Sequence, residues 1–294
     1  MAYSELELYE DRELLASDIV AALEVEYPVA QAAAWDSVGL LVGDARMPVS
    51  GVIVALDPSL AAIAAAVERG ANVVVSHHPV FIDPPEHFDI THAAFSWPAR
   101  VVHAAISSGV ALVNAHTNLD VSAKARALWG ERLELEDIGP LPLANAAREF
   151  PHLSGDYPSF GELWHCEMPR TLNALAAEIT SLTATDVRVY GDGEALVDTV
   201  ATATGSATAR IPEALLAKAD VLIGGEFRYH DALGATESGL NLIELGHDVS
   251  ELPLLPLLTE ALHVRTSLDM VQIHEIQTDP IWNGISTSTL AGGN

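Results

Sequence analysis

Short apolar runs alternate along this chain with alanine-rich stretches of helical period, and glycine or proline punctuates most of the changes. Val52-Ile53-Val54-Ala55-Leu56 is an unbroken apolar run between Gly51 and Asp57-Pro58. A run that is apolar on both faces reads as a strand buried in a parallel sheet. Ser59 to Arg69 follows as an alanine-rich helix that Gly70 stops. Asn72 to Ser76 is the next strand, Trp97 to Ser108 is helix closed by Gly109, and Val110 to Asn114 is strand again. This β-α-β-α-β order implies a mostly parallel sheet with helices on its faces. An earlier helix is expected from Ser17 to Glu26, with Ser17 as its N-cap.

The segment Ile138 to Phe160 carries Pro140, Pro142, Pro151 and Pro158 and reads as a crossover. A second α/β stretch follows it. Strands are expected at Gly161–Glu167, Asp186–Tyr190, Val197–Ala203, Val221–Gly224, Asn241–Leu245 and Ser267–Ile276. Helices are expected at Thr171–Thr180, Ile211–Ala217, Tyr229–Ser238 and Glu251–Leu262. At about 150 residues per domain, 294 residues suit two such units. The expected division is 1–140 and 141–294, with the part from about 220 onward closing the second unit.

Charge narrows the function classes. Lys and Arg number 14 against 41 Asp and Glu, a formal net charge of −27. Charged residues are nevertheless only 19%, so the imbalance is mainly a shortage of bases. No two Lys or Arg are adjacent, and no basic stripe exists to track a phosphate backbone. Nucleic acid is therefore not an expected partner. The longest apolar run, Leu60 to Val67, is far too short to cross a membrane. The acidic start of the chain lacks the basic and apolar regions of a secretory signal. Cys166 is the only cysteine, which suits a reduced compartment. These features together read as a cytoplasmic protein.

The chemistry gathers just past predicted strands. Val73-Val74-Val75-Ser76 runs into His77-His78-Pro79, and Ala111-Leu112-Val113-Asn114 runs into Ala115-His116-Thr117-Asn118-Leu119-Asp120. Leu242-Ile243-Glu244-Leu245 runs into Gly246-His247, with Glu251 four residues on. Open α/β sheets build their sites outside the carboxyl ends of strands, so three such ends point to one convergent site. Adjacent His77 and His78 diverge and can serve two different metals. His247 and Glu251 share a face if Glu251 lies in the first turns of a helix. Imidazoles with carboxylates suit Zn, Fe, Mn, Co or Ni. So few ligands hold two ions only if a carboxylate bridges them.

At these residues the chain resembles the Ngg-interacting-factor-three-like (Nif-three-like) dinuclear metal-centre family, many members of which carry the name GTP cyclohydrolase I type 2. Trp35-Asp36-Ser37-Val38-Gly39-Leu40 resembles the opening segment of that family, and the three His-bearing strand ends resemble its metal motifs. Gly225-Glu226-Phe227-Arg228-Tyr229-His230-Asp231-Ala232-Leu233 is similar to the segment before the last motif. The resemblance implies two similar α/β lobes with mostly parallel or mixed sheets, flanked by helices, and a dinuclear site at their junction. It implies that His78 and Asp120 bind one divalent ion, that His77 and His247 bind the other, and that Glu251 bridges them. It further implies a toroidal homohexamer, a trimer of dimers, with the sites facing the inner cavity. The implied activity is hydrolysis of a nucleotide or related heterocycle through a metal-bridging hydroxide. The alternative is a non-enzymatic metal-binding ring that handles metal or scaffolds a partner. In either case a small anion is compatible with the acidic chain, because the ions supply positive charge.

His116 is the candidate catalytic residue, as a proton shuttle or a support behind the ligands. The competing reading is a structural histidine bonded to loop backbone. Asp36 and Glu226 are expected to cap their loops, with a substrate contact as the alternative, and His230 to take a structural place on a helix face, with lining the cavity as the alternative. Trp35 and Trp97 are expected in the core. Thr204-Gly205-Ser206-Ala207 reads as a plain strand-to-helix turn, with a phosphate cradle as the alternative. After Asp120 the sequence departs from the family pattern, with Val121-Ser122-Ala123 in place of glycine and an Asn-Asp pair.

Overall fold

The computed structural model describes residues 13–91, 97–155, 157–265 and 272–277. Two sheets flanked by helices make up the chain. The first has the order β1-β4-β3-β2-β11, with β1 at Gly39–Val42, β2 at Gly51–Ala55, β3 at Val73–Ser76, β4 at Ala111–Asn114 and β11 at Gln272–Glu275. Strands β11, β2, β3 and β4 are parallel; β1 runs antiparallel on β4.

The apolar runs of this sheet are continuous because both faces are covered. Val52 and Val54 of β2 point into a cluster shared with α1 (Ala16–Glu26) and α11 (Leu255–Arg265). Ile53 and Ala55 point the other way, toward α2 (Leu60–Glu68) and α3 (Trp97–Ser108). Helix α2 starts as expected, with Ser59 Oγ accepting from the Ala62 amide at 3.1 Å. Helix α1 does not. Its N-cap is Leu15, and the Asp18 carboxylate accepts from the Leu15 N–H at 2.8 Å, so Ser17 is no cap.

The second sheet has the order β5-β6-β8-β9-β10-β7. These strands are β5 (Glu136–Pro140), β6 (Gly161–Thr171), β7 (Arg188–Tyr190), β8 (Leu196–Ala203), β9 (Val221–Gly224) and β10 (Asn241–Glu244). Only β8, β9 and β10 are mutually parallel; the rest pair antiparallel. Val221 and Ile223 of β9 face a cluster with Trp129, Trp164 and Ile179, while Leu222 faces Ile211, Ala214 and Ala232 on the other side. The expected mixed α/β architecture with two helix-flanked sheets is what the chain adopts.

Sheet membership departs from a division at 140/141. β5 already belongs to the second sheet, and β11 returns to the open edge of β2 in the first. The returning strand satisfies backbone groups that β2 would otherwise leave at an edge. The remainder of the expected strand at Ser267–Ile276 lies mostly outside the described residues. Helix α5 (Ala123–Arg132), capped by Ser122 Oγ on the Ala125 amide, packs Trp129 into the core of the second sheet. The residues that depart from the family pattern thus begin a helix. Trp35 and Trp97 are 51% and 48% exposed, so neither is a core residue. No helix among the described residues is long and apolar enough to cross a membrane.

Candidate metal centre

The carboxyl ends of strands from both sheets meet. β3 delivers His77 and His78, and β4 delivers His116 and the one-turn helix α4 (Thr117–Asp120). From the second sheet, β10 turns at Gly246 into α10 (His247–Glu251). Gly246 has φ +103°, a region L side chains rarely enter. His247 and Glu251 do share a face, within a single short helix. The helix expected from Glu251 breaks instead, because Pro253 lacks the amide to continue it. A 3₁₀ turn at Leu252–Leu254 separates α10 from α11.

Each of four imidazoles is engaged at Nδ1. His77 Nδ1 lies 3.1 Å from the Ala115 carbonyl, His78 Nδ1 2.9 Å from Asp57 Oδ1, and His116 Nδ1 2.9 Å from Asp36 Oδ1. His247 Nδ1 lies 3.2 Å from Glu226 Oε1. An acceptor at Nδ1 places the proton there and leaves the Nε2 lone pair free, as metal-bound histidines require.

The Nε2 atoms of His77, His78 and His247 converge on Glu251. His78 Nε2 and His247 Nε2 lie 2.9 and 3.2 Å from Oε2, and His77 Nε2 lies 3.7 Å from Oε1. Asp120 Oδ1 sits 3.5 Å from His77 Nε2. These distances group His77 with Asp120 and His78 with His247, whereas the resemblance implies the opposite pairing. Donor atoms of His77, His78 and His116 lie within 4.8 Å of one another, and so do those of His78, His247 and Glu251.

Two buried atoms test whether a metal suits these donors. His77 Nε2 and Glu251 Oε2 are shielded from solvent with no hydrogen bond of acceptable geometry. A buried polar atom without a partner costs about 1–3 kcal/mol, and a cation removes that cost. The donor set of imidazole and carboxylate fits a borderline divalent ion.

The charges agree with this reading. Burial depresses His77, but Asp120 and Glu251 outweigh it and raise its pKa. Burial likewise opposes ionisation of His78, yet Asp57 and Glu251 bring it to about 10. Glu251 raises His247 to about 9 against burial. Burial raises Asp120 despite His77 and His116. Glu251 is held well below the usual carboxylate range, the three histidines overcoming its burial.

Sequence reasoning identified His77, His78, His116, Asp120, His247 and Glu251, and the fold brings all six together. It missed Asp57, whose signal was an acid just past the adjacent strand β2. Glu226, expected to cap its loop, instead sits on His247. Asp36 does hold its loop, accepting from the Thr117 amide at 3.0 Å while fixing His116. Burial opposes ionisation of Asp36, but His116 and Thr117 hold its pKa below the usual range. His230 is exposed on α9 (Tyr229–Glu237), with its ring edge-on to Tyr229. The Thr204 turn presses on the site itself. A Cβ on Gly205 would fall 2.1 Å from Glu251 Oε1.

Two α/β lobes whose strand ends gather histidines and carboxylates define a metal-site protein of the α/β class. Residues 14–280 match the family profile described as Duf34/NIF3 (NGG1p interacting factor 3). The chain belongs to the Duf34/NIF3 family. It is 34% identical over 240 residues to a Streptomyces coelicolor protein named GTP cyclohydrolase 1 type 2 homolog, covering 81% of each. A Clostridium perfringens protein of the same name is 28% identical over 255 residues, covering 86% of this chain and 93% of the relative. A crystal structure of a Staphylococcus aureus hypothetical protein superposes with TM-score 0.77 at 25% identity, over 92% of this chain and 100% of that one. A Bacillus cereus protein related to NIF3 gives TM-score 0.75 at 20% identity, over 93% and 100%, a likeness of fold alone.

Proposed function

We propose that the chain is a metal-dependent hydrolase holding two divalent ions on His77, His78, Asp120, His247 and Glu251. The observation that carries this reading is the convergence of four Nδ1-engaged imidazoles, with His77 Nε2 buried beside Asp120 and Glu251 and without a hydrogen bond. Glu251 would contact both ions, because its Oε1 faces His77 while its Oε2 faces His78 and His247. Zn, Fe, Mn, Co and Ni all suit the donor set. When bound, such ions supply Lewis acidity and activate water near neutral pH.

The residues of the chain do the rest. Asp36 fixes the His116 ring through Nδ1, and that ring offers a donor atom within 4.8 Å of those of His77 and His78, where it can carry a proton to a leaving group. The substrate in this reading is a nucleotide or related heterocycle, as the name shared by the two relatives supports. A ring of six copies, built as a trimer of dimers, completes the reading.

Metal analysis and turnover test it. Protein incubated with Mn, Zn or Fe should hold two ions per chain and lose them in His77→Ala and Glu251→Ala. It should release formate from GTP or hydrolyse another nucleotide. Fewer than one ion per chain would undo the centre. Stoichiometric, readily exchanged metal without turnover across nucleotides and phosphodiesters would favour metal handling instead.

A further inference from the structure

Beside His116 and His247 lies a cavity of about 590 Å³. Two arginines line it with different fates. Arg210 is buried, bonded to Glu213 and Glu149, and stacked 5.0 Å from the Phe160 ring. Its charge is used within the wall. Arg148 is exposed and has no ion pair among the described residues.

Trp35 lines the same cavity, 51% exposed and edge-on to His116 with ring centroids 6.1 Å apart. Solvent exposure of a large aromatic forgoes burial energy, and here a tightly bonded loop keeps it in place. The Ala33 amide donates to Thr117 Oγ1 at 3.0 Å, and Ser37 Oγ donates to the Ile82 carbonyl at 2.7 Å. The Ala34 amide donates to the Glu149 carbonyl at 3.0 Å. The residue before Trp35 is therefore bonded to the residue after Arg148, and the two side chains belong to adjoining segments of one wall.

We propose that Trp35 and Arg148 form a recognition pair for a substrate carrying both a flat aromatic ring and an anionic phosphate or carboxylate group. The inference rests on the proposed metal centre for the position of the reacting bond, but the binding role of the pair needs no turnover. Trp35 stacks the ring, a contact that tolerates different bases. Arg148 pairs the anion through its planar fork of donors. The wall also carries the acids Asp120, Glu149 and Glu251; Arg210 and His247 are already paired with carboxylates, which leaves Arg148 as the arginine of the wall with no ion pair among the described residues.

Calorimetric titration of the full chain, metal-loaded and after chelation, tests this with four probes. These are guanosine 5′-monophosphate, guanosine, ribose 5-phosphate and pterin-6-carboxylate. Trp35→Ala should weaken the monophosphate and guanosine about ten-fold and spare ribose 5-phosphate, and Trp35→Phe should recover most of the loss. Arg148→Ala should weaken the monophosphate and ribose 5-phosphate and spare guanosine, with partial recovery in Arg148→Lys. Tighter binding of the pterin acid than of the monophosphate would assign the anion as carboxylate; the reverse order would assign phosphate. Wild-type affinity for every probe in both alanine variants would overturn the pair. So would equal weakening of all probes, or no binding of any probe to the wild type at millimolar concentration. Binding through both residues without turnover would remove the hydrolase reading and keep the pair. Turnover indifferent to both variants would do the opposite.

Discussion

Four imidazoles are engaged at Nδ1 around one cluster of donor groups, and in the proposed centre each fixing contact is a separate lever on metal affinity. Asp57 holds His78 at 2.9 Å. Asp57→Ala should lower metal affinity about ten- to hundred-fold, the usual cost of losing such a support, measured by competition with a chelator. An unchanged dissociation constant would mean that the His78 ring is oriented by something else. Gly205 acts by what it lacks, since a Cβ there meets Glu251 Oε1 at 2.1 Å. Gly205→Ala should displace the Glu251 carboxylate, reduce metal content below wild type, and cost about 1–3 kcal/mol of stability from overpacking. Metal analysis with denaturant titration checks both. The histidines were legible because each stands just past an apolar strand. Asp57 and Glu226 also follow buried strands, but the ring that each holds lies far along the chain, and no spacing ties the acid to its histidine.

At the level of elements, strands buried on both faces announced themselves. β2, β3, β4 and β9 are wholly buried, so their sequences are apolar runs, broken only at the last residue of β3 and β4 by Ser76 and Asn114. β5 is an edge strand with mostly exposed residues, and it carries no such signal. Helix α5 was missed for a related reason. Its short amphipathic stretch buries only Ala125, Trp129 and Gly130. Gly130 marks how closely it docks, since a Cβ there would fall 2.0 Å from the Trp164 ring. Gly130→Ala should lower stability by about 3 kcal/mol, at the upper end of overpacking costs, read from the midpoint of a denaturant titration. A midpoint unchanged from wild type would show that α5 can lift off the sheet without penalty.

For the molecule as a whole, the proposed centre would couple protonation, metal and stability. In the metal-free protein Asp57 and Glu251 raise His78 from 6.5 to about 10 against its burial. That stabilisation is full below about pH 6.5 and is lost as pH rises through about 10. Glu251 is depressed below 4.5, so its contribution is full above about pH 4.5 and is lost on acidification. Chelated protein should therefore show its highest melting temperature between about pH 4.5 and 6.5. Divalent ions need neutral imidazoles, so the melting-temperature gain on adding Mn or Zn should widen from pH 6 to pH 9. Parallel thermal scans with chelator and with metal measure this difference. A gain that shrinks with rising pH would mean that the metal does not compete with these protons.

The −27 charge excluded a basic surface for long polyanions, and the alternation of apolar runs with helical stretches was enough to specify two α/β sheets and to set histidines at strand ends. Both are local or summed properties that backbone period and side-chain polarity control directly. Tertiary structure alone decided that β11 closes the first sheet against β2, that Asp57 and Glu226 fix two of the rings, and that Trp35 stands half in solvent beside Arg148. Those outcomes depend on which distant segments meet. Spacing along a chain does not encode that, because backbone pairing and close packing reward contacts regardless of their separation in sequence.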